Sequence, residues 1–299
     1  MTVAVRPRID TARRSFGGGG RVTPQWLAFL PFLIYVGIFL LLPTVIVIAG
    51  AFVDGNGISV ANLTWMNKPY VIGAYINSVV LSAVTAIVGA VLGALLAYAV
   101  ATGNPNGILR RLVTSACGVL AQFGGVTLAF AFIATIGGAG FITIWLKDHG
   151  IDIYANGLWL YQLRGLGLVY TYFQIPLMVL VFLPALDGIR PQWREATETL
   201  GGGTWHYWRY VAGPLLAPAF IGCTLLLFAN AFSAYATAAA LVNQGSVIAS
   251  LLIANTLTSE VGLASPGIAS ALALVMVVIV AVIMVLYTLL QRRTAKWLA

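Results

Sequence analysis

The chain has 299 residues, 60% of them hydrophobic and 8% charged, with a formal net charge of +8 and a mean hydropathy of +0.95. Soluble domains carry roughly a quarter of their residues as charges, so this composition excludes a water-soluble enzyme, and its apolar content excludes a disordered chain. An excess of Lys and Arg can signal nucleic acid, but in a membrane protein it first reports orientation. The expected partner of these cations is anionic lipid, with no nucleic acid.

Residues 1–25 are basic and polar, with Gly17 to Gly20 as a flexible joint, and read as a cytoplasmic tail. Taking the next apolar run as a signal peptide, with Ala49 and Ala51 as an A-x-A-like cleavage site, requires an apolar region of about 25 residues against the usual 7 to 15. A spanning helix needs about 20 apolar residues, because its backbone polar groups must be satisfied internally. Charge-free intervals then predict helices over 26–51, 74–101, 112–136, 165–186, 215–240 and 266–290. Residues 247–258 are too short for a further span and read as part of an external loop. The expected fold class is an all-α membrane protein with six transmembrane helices. A first helix covers 26–51, a core over 74–290 holds five helices and a cytoplasmic loop over 187–214, and 291–299 form a second tail.

With the N-terminus inside, thirteen Lys and Arg fall in cytoplasmic segments and three, Lys68, Lys147 and Arg164, outside. That asymmetry predicts both termini in the cytoplasm. Ser78, Ser82, Thr85, Gly89 and Gly93 recur at helical spacing in the second span, a stripe that lets helices approach closely. Pro31, Pro43, Pro176 and Pro184 read as helix kinks or ends. Cys117 and Cys223 lie in apolar runs as packing residues, and His149 and His206 sit in no metal-binding pattern. No metal site is expected. The spans carry no ionisable residue at mid-depth, which leaves uncharged polar residues as candidates for a solute pathway. These are Gln122 in the third span, Tyr170 and Gln174 on one face of the fourth, and Asn230, Ser233 and Thr237 on one face of the fifth.

The most informative stretch runs from Asp187 to Pro214. Pro191 suits the first turn of a helix, and Glu195 lies near its favourable N-terminal end. Leu200 closes that helix and Gly201 to Gly203 stop it. The aromatic segment Thr204 to Val211 reads as an interfacial helix, and Pro214 marks the approach to the fifth span. Glu195, Ala196, Gly201 and Pro214 match, at the same spacing, the signature of a known family, and the segment resembles the membrane subunits of binding-protein-dependent ABC importers. That signature is Glu-Ala-Ala, three residues, Gly, nine residues, then Ile-x-Leu-Pro. Thr197, Val211 and Gly213 depart from it, and Gly213 is expected to loosen the join to the fifth helix.

The resemblance implies the ABC importer permease fold, with the loop forming a short coupling helix that docks on a cytoplasmic ATPase. Glu195 would face polar groups of that partner, Ala196 and Thr197 would permit close approach, Leu200 would end the helix and Gly201 would make the turn. The implied partners are a pair of ATPases that bind ATP and Mg, a second permease subunit, identical or homologous, and an extracytoplasmic solute-binding protein, all at a bacterial inner membrane. The chain itself is expected to hold no cofactor and no ATPase site: Lys68, Lys147 and Lys296 follow Asn67, Leu146 and Ala295, so the Gly-Lys pair of a Walker motif is missing. Leu42-Pro43, Asn77-Ser78 and the run from Tyr170 to Pro184 are similar to the spermidine/putrescine-type permeases, which implies a polyamine, an aminoethylphosphonate or another small ion as solute.

Two other classes compete. A gradient-driven secondary transporter places ionisable residues or broken half-helices at mid-membrane and contains repeats, and the predicted spans show none of these. A membrane enzyme needs a catalytic cluster near one interface. Lys147, Asp148, His149 and Asp152 form the one such group, and they read as caps of a short external helix.

Overall fold

The computed structural model describes residues 29–54, 57–104, 107–155, 157–242, 248–258 and 266–295. The expected tail over 1–25 with its Gly17 to Gly20 joint, the first residues of the predicted span over 26–51, and Lys296 lie outside the described residues. The first helix, α1, runs Leu30–Ala51. Its side chains as far as Ile46 are exposed or half-exposed and almost wholly apolar, the surface that lipid covers. Residues up to Ile46 form one unit, and the chain from Val47 onward forms a second, compact one.

In that second unit a minimal antiparallel pair, β1 (Val53–Asp54) and β2 (Gly57–Ile58), precedes α2, Pro69–Ala101. Then come α3 (Ile108–Gln122), α4 (Gly125–Ile136) and α5 (Phe141–Asp148). Helix α6 is Leu163–Asp187, α7 is Pro191–Thr199 and α8 is Thr204–Ser233. Three more helices follow: α9 (Ala236–Leu241), α10 (Ala249–Thr258) and α11 (Pro266–Ala295). Six helical stretches among the described residues are long and apolar enough to span a membrane.

Helices α2 and α6 make the most extensive contact among the described residues. The stripe explains it, because Ser78, Ser82, Thr85, Gly89 and Gly93 are all buried on α2. A Cβ added to Gly89 would lie 2.5 Å from the Cβ of Gln174, and one added to Gly93 would lie 2.5 Å from the Cβ of Met178. A four-residue step along α2 thus matches a four-residue step along α6, so the two helices run in the same direction. Pro176 and Pro184 are accommodated inside α6 without interrupting it. Around this pair, Leu166, Val169 and Tyr170 of α6 join Leu128 of α4 and Leu241 of α9 in one buried cluster. Met178, Phe182 and Leu186 join Cys117 of α3 and Leu216 and Leu227 of α8 in another. In the first half of α2, Ser78 Oγ accepts the backbone N–H of Ala249 at 2.8 Å, and Tyr75 Oη donates to the carbonyl of Leu272.

Several expectations are corrected. The predicted third span over 112–136 is two helices, α3 and α4, broken at Phe123-Gly124, and the apolar stretch of spanning length starts only at Gly125 and reaches Asp148. Helix α3 carries Arg110 and Arg111 at its start, so its apolar surface is a stripe rather than a full girdle. The predicted fifth span over 215–240 instead begins at Thr204 and ends at Ser233. Gly213 does not interrupt the join: the carbonyl oxygen of Trp208 lies 2.4 Å from where its Cβ would be, a space only glycine leaves open, and a π-helical turn over Trp208–Ala212 carries the helix on into the fifth span. The segment read as external loop contains α10, whose ten residues are about half of what a span requires. The tail expected over 291–299 begins as helix, since α11 continues to Ala295.

The close approach of α2 and α6 yields a direct expectation. Gly93→Ala forces a methyl against Met178 and against the carbonyl oxygen of Ile175, 2.7 Å away, and should cost roughly 1 to 3 kcal/mol. Thermal unfolding of the detergent-purified protein checks this, since an unchanged midpoint contradicts the packing.

Candidate functional site

Two regions hold the residues singled out in the sequence. The first is α7 and its closing turn. Pro191 occupies the first turn, and Arg194 Nε pairs with Glu198 Oε1 at 3.1 Å along the helix. The hydroxyl of Thr197 donates to the carbonyl of Trp193 at 2.8 Å, and that of Thr199 to the carbonyl of Glu195 at 2.8 Å. Leu200 N–H donates back to Ala196, Gly201 N–H to Glu198 and Gly202 N–H to Thr197, which satisfies carbonyls at the helix end. Gly201 has φ +82, a conformation that glycine adopts without strain. The methyl of Thr197 packs against Gly202, where a Cβ would lie 2.8 Å away. No side chain of α7 is buried. Glu195 and Ala196 are exposed, and Leu200 is 88% exposed at the tip. Pro214 stands in the first turn of the stretch Gly213–Ser233.

The second region is a cavity of about 310 Å³ between two helix breaks. One break is Phe123-Gly124, between α3 and α4, and the other is Ala234-Tyr235, between α8 and α9. Asn230, Ser233 and Thr237 line it together with Gly124, Gly125, Phe173 and Tyr235. Gly125 has φ +70, which lets the chain restart as a helix directly after the break. Phe173 lies near the middle of α6, so the cavity sits well inside the span. Among its lining residues none is ionised at neutral pH, which leaves an amide, hydroxyls, aromatic rings and backbone groups as its chemistry.

The structure thus brings Asn230, Ser233 and Thr237 together, but on two helices rather than one continuous face. Gln122 is exposed at the end of α3 beside the break and does not line the cavity. Tyr170 is buried, and its Oη donates to the carbonyl of Ala234 at 2.7 Å, so it holds the second break in place. Gln174 is fully buried against Gly89, with neither amide atom hydrogen-bonded. Gly124, Gly125, Phe173 and Tyr235 are lining residues that sequence reasoning missed; the Gly124-Gly125 pair inside an apolar run was the available signal. Both breaks fall inside the ranges predicted as spans, 112–136 and 215–240, where unbroken helix was expected, and they stand at the ends of the apolar stretches Gly125–Asp148 and Thr204–Ser233.

The group at Lys147, Asp148, His149 and Asp152 is engaged locally. His149 Nδ1 lies 2.7 Å from the carbonyl oxygen of Trp145, and its ring packs on that indole with centroids 4.3 Å apart. Lys147 pairs with Asp152 at 3.8 Å, and Asp152 Oδ1 accepts the N–H of Tyr154. Among the described residues no three His, Cys, Asp or Glu side chains cluster to hold a metal.

No family model matches the chain. A sulfate transport system permease of Escherichia coli is 31% identical over 111 residues, covering 37% of this chain and 36% of that protein. A thiamine transport system permease of the same organism is 26% identical over 108 residues, covering 36% of this chain and 20% of that protein. The chain therefore matches only about a third or less of the length of these two relatives. A permease assigned to the transport of starch degradation products in Thermoanaerobacterium thermosulfurigenes is 26% identical over 295 residues, covering 90% of this chain and 94% of the relative. Among solved structures, a bacterial alginate ABC transporter in complex with an alginate-bound periplasmic protein superposes with a TM-score of 0.69 at 19% identity, covering 91% of this chain and 95% of that one. The fold is that of an ABC importer permease, a multi-pass, helical membrane protein.

The bond from Tyr170 to the second break is testable. Among the described residues, Tyr170→Phe leaves the Ala234 carbonyl only Ser250 Oγ, at 3.4 Å, and should cost roughly 1 to 3 kcal/mol of stability. Thermal unfolding in detergent reads it, and a midpoint equal to that of the parent contradicts the assigned role.

Proposed function

We propose that this chain is the membrane-spanning permease subunit of an ATP-driven ABC importer, forming the route for a small solute delivered by an extracytoplasmic binding protein. The observation that carries the reading is α7. A nine-residue helix with no buried side chain, standing three residues beyond the end of α6 and closed by Gly201, is a surface in want of a partner. Glu195, Ala196 and Thr197, with Leu200 at the tip, form the proposed contact with a cytoplasmic ATPase, and Gly201 and Pro214 frame the turn back into α8. Two ATPases supply ATP and Mg chemistry, so the chain itself is no enzyme, and their pairing calls for a second permease subunit, identical or homologous. The setting is a bacterial inner membrane, with anionic lipid against the arginine-rich end.

The cavity between the breaks serves as part of the pathway, with Asn230, Ser233 and Thr237 at its wall. Gln122, Tyr170 and Gln174 stay in the proposal as residues beside it. Its neutral lining supports a permissive route in which the external protein selects the solute and the membrane part gates. A spermidine/putrescine-type solute rests on the sequence likeness alone. The relatives named above are permeases for sulfate, thiamine and starch degradation products, and no carboxylate lines the cavity to meet a polyamine.

One observation favours a second reading. Broken helices around a central site also occur in gradient-driven secondary transporters. ATP dependence separates the two. Solubilised from its native membrane, the protein should co-purify with an ATPase carrying Walker motifs, and Glu195→Lys should weaken that association about tenfold or more while the chain remains inserted. Recovery of the protein alone, with solute movement in proteoliposomes that needs no ATP, would favour the secondary transporter instead.

A further inference from the structure

We propose that the ion pair between Arg110 and Asp187 is a strut that carries movement of α7 into α3, and through α3 to the helix break at the cavity. The proposal rests on the importer reading and adds to it the residues that join the ATPase-facing surface to the pathway. Asp187 is the last residue of α6, and only Gly188, Ile189 and Arg190 separate it from α7. Arg110 is the third residue of α3 and is bonded to the Asp187 carboxylate through its guanidinium. The Arg110 side chain is only 19% exposed and that of Asp187 42%, so the pair is better shielded from water than a free surface pair. The pairing is also specific. Of the other described carboxylates at this end, Glu198 is engaged by Arg194, and Glu195 is exposed on α7 itself.

From Arg110 to Gln122, α3 is an uninterrupted helix of about 18 Å at 1.5 Å per residue. Its far end is the Phe123-Gly124 break, and Ala121 and Gly124 are both part of the cavity wall. In between, Cys117 is buried with Phe182 and Leu186 of α6, so α3 is seated along the same half of α6 that ends in Asp187. A force applied at α7 reaches Asp187 first. With the ion pair in place, α3 must follow it, and its far end, joined to α4 through Phe123-Gly124, moves the cavity wall. Without the pair, the apolar seat of α3 on α6 is left to transmit the movement, and apolar contacts are non-directional.

The test uses the whole complex purified from its native membrane into lipid discs, with the two native cysteines replaced by alanine and Asn230→Cys as a reporter in the cavity. The probe is a cationic methanethiosulfonate reagent, and the readout is its rate of reaction with and without ATP plus vanadate. In the parent the two rates should differ about fivefold or more. Asp187→Asn and Arg110→Gln should each abolish that difference while ATP hydrolysis by the assembled complex continues, and the charge-swapped pair R110D/D187R should restore it. Single variants that assemble and keep the parent difference overturn the strut, as does a charge swap that assembles and behaves like the single variants. A parent that lacks any ATP-dependent difference removes the importer reading itself, an outcome distinct from failure of the strut, which requires an intact parent response.

Discussion

The architecture depends on one constraint: inside hydrocarbon a backbone N–H or C=O without a partner costs several kcal/mol, so the chain must remain helical wherever lipid surrounds it. Among the described residues, Phe123-Gly124 and Ala234-Tyr235 depart from helix at the ends of the apolar stretches Gly125–Asp148 and Thr204–Ser233 and both face the same cavity, while residues 137–140 separate α4 from α5. The break at Ala234 is bonded by Tyr170 from the neighbouring helix α6. What makes α6 a firm reference for that bond is its contact with α2, where side-chain volume is absent at Gly89 and Gly93 so that the two helices meet at near-backbone distance. The small-residue stripe, the tyrosine and the breaks are therefore one arrangement: a rigid pair on one side, two interrupted helices on the other, and polar space between them.

The same pair ends where the arginines gather. Helix α6 terminates at Asp187 and gives way to α7, none of whose side chains is fully buried, and the chain returns through the turn at Gly201 into α8. Gly213 admits the carbonyl of Trp208, so that the aromatic segment and the following apolar helix form one continuous stretch from Thr204 to Ser233. A continuous helix is a stiff connection, and it runs from the exposed turn to Ser233 at the cavity. Helix α3, tied to Asp187 by Arg110, reaches the same cavity from another side. Both interrupted helices thus have one end at the exposed surface and the other at a break.

Much of this was legible in the amino-acid sequence because lipid imposes a simple rule on composition. Charge-free runs pointed to six spanning stretches, although the third and fifth lie at Gly125–Asp148 and Thr204–Ser233 rather than over 112–136 and 215–240, and the periodic small residues of α2 marked its buried face. The spacing of Glu195, Ala196, Gly201 and Pro214 marked the exposed helix and its turn. The breaks were harder to read, for a physical reason. At the first break the Gly124-Gly125 pair was a signal masked by the long apolar run around it, whereas Ala234-Tyr235 contains neither Gly nor Pro and carries no local signal, its visible support being the tertiary bond from Tyr170. For the same reason Asn230, Ser233 and Thr237 read as one helical face, whereas the structure divides them between α8 and α9. Gln174 shows the limit of composition in the other direction. A polar residue at the centre of a span reads as facing a pathway, while here its side chain is closed in against Gly89.

The central claim is that both breaks border a space that water can enter. Hydrogen exchange of the protein in lipid discs, followed by mass spectrometry on peptides spanning 122–126 and 233–237, tests it most directly. Amides in these peptides should exchange many times faster than those of residues 169–179 in α6, because the helical ladder is interrupted there and the first N–H groups of α4 and α9 lack intrahelical partners. Equal protection at the breaks and in α6 would mean that the cavity is closed to water and the pathway lies elsewhere.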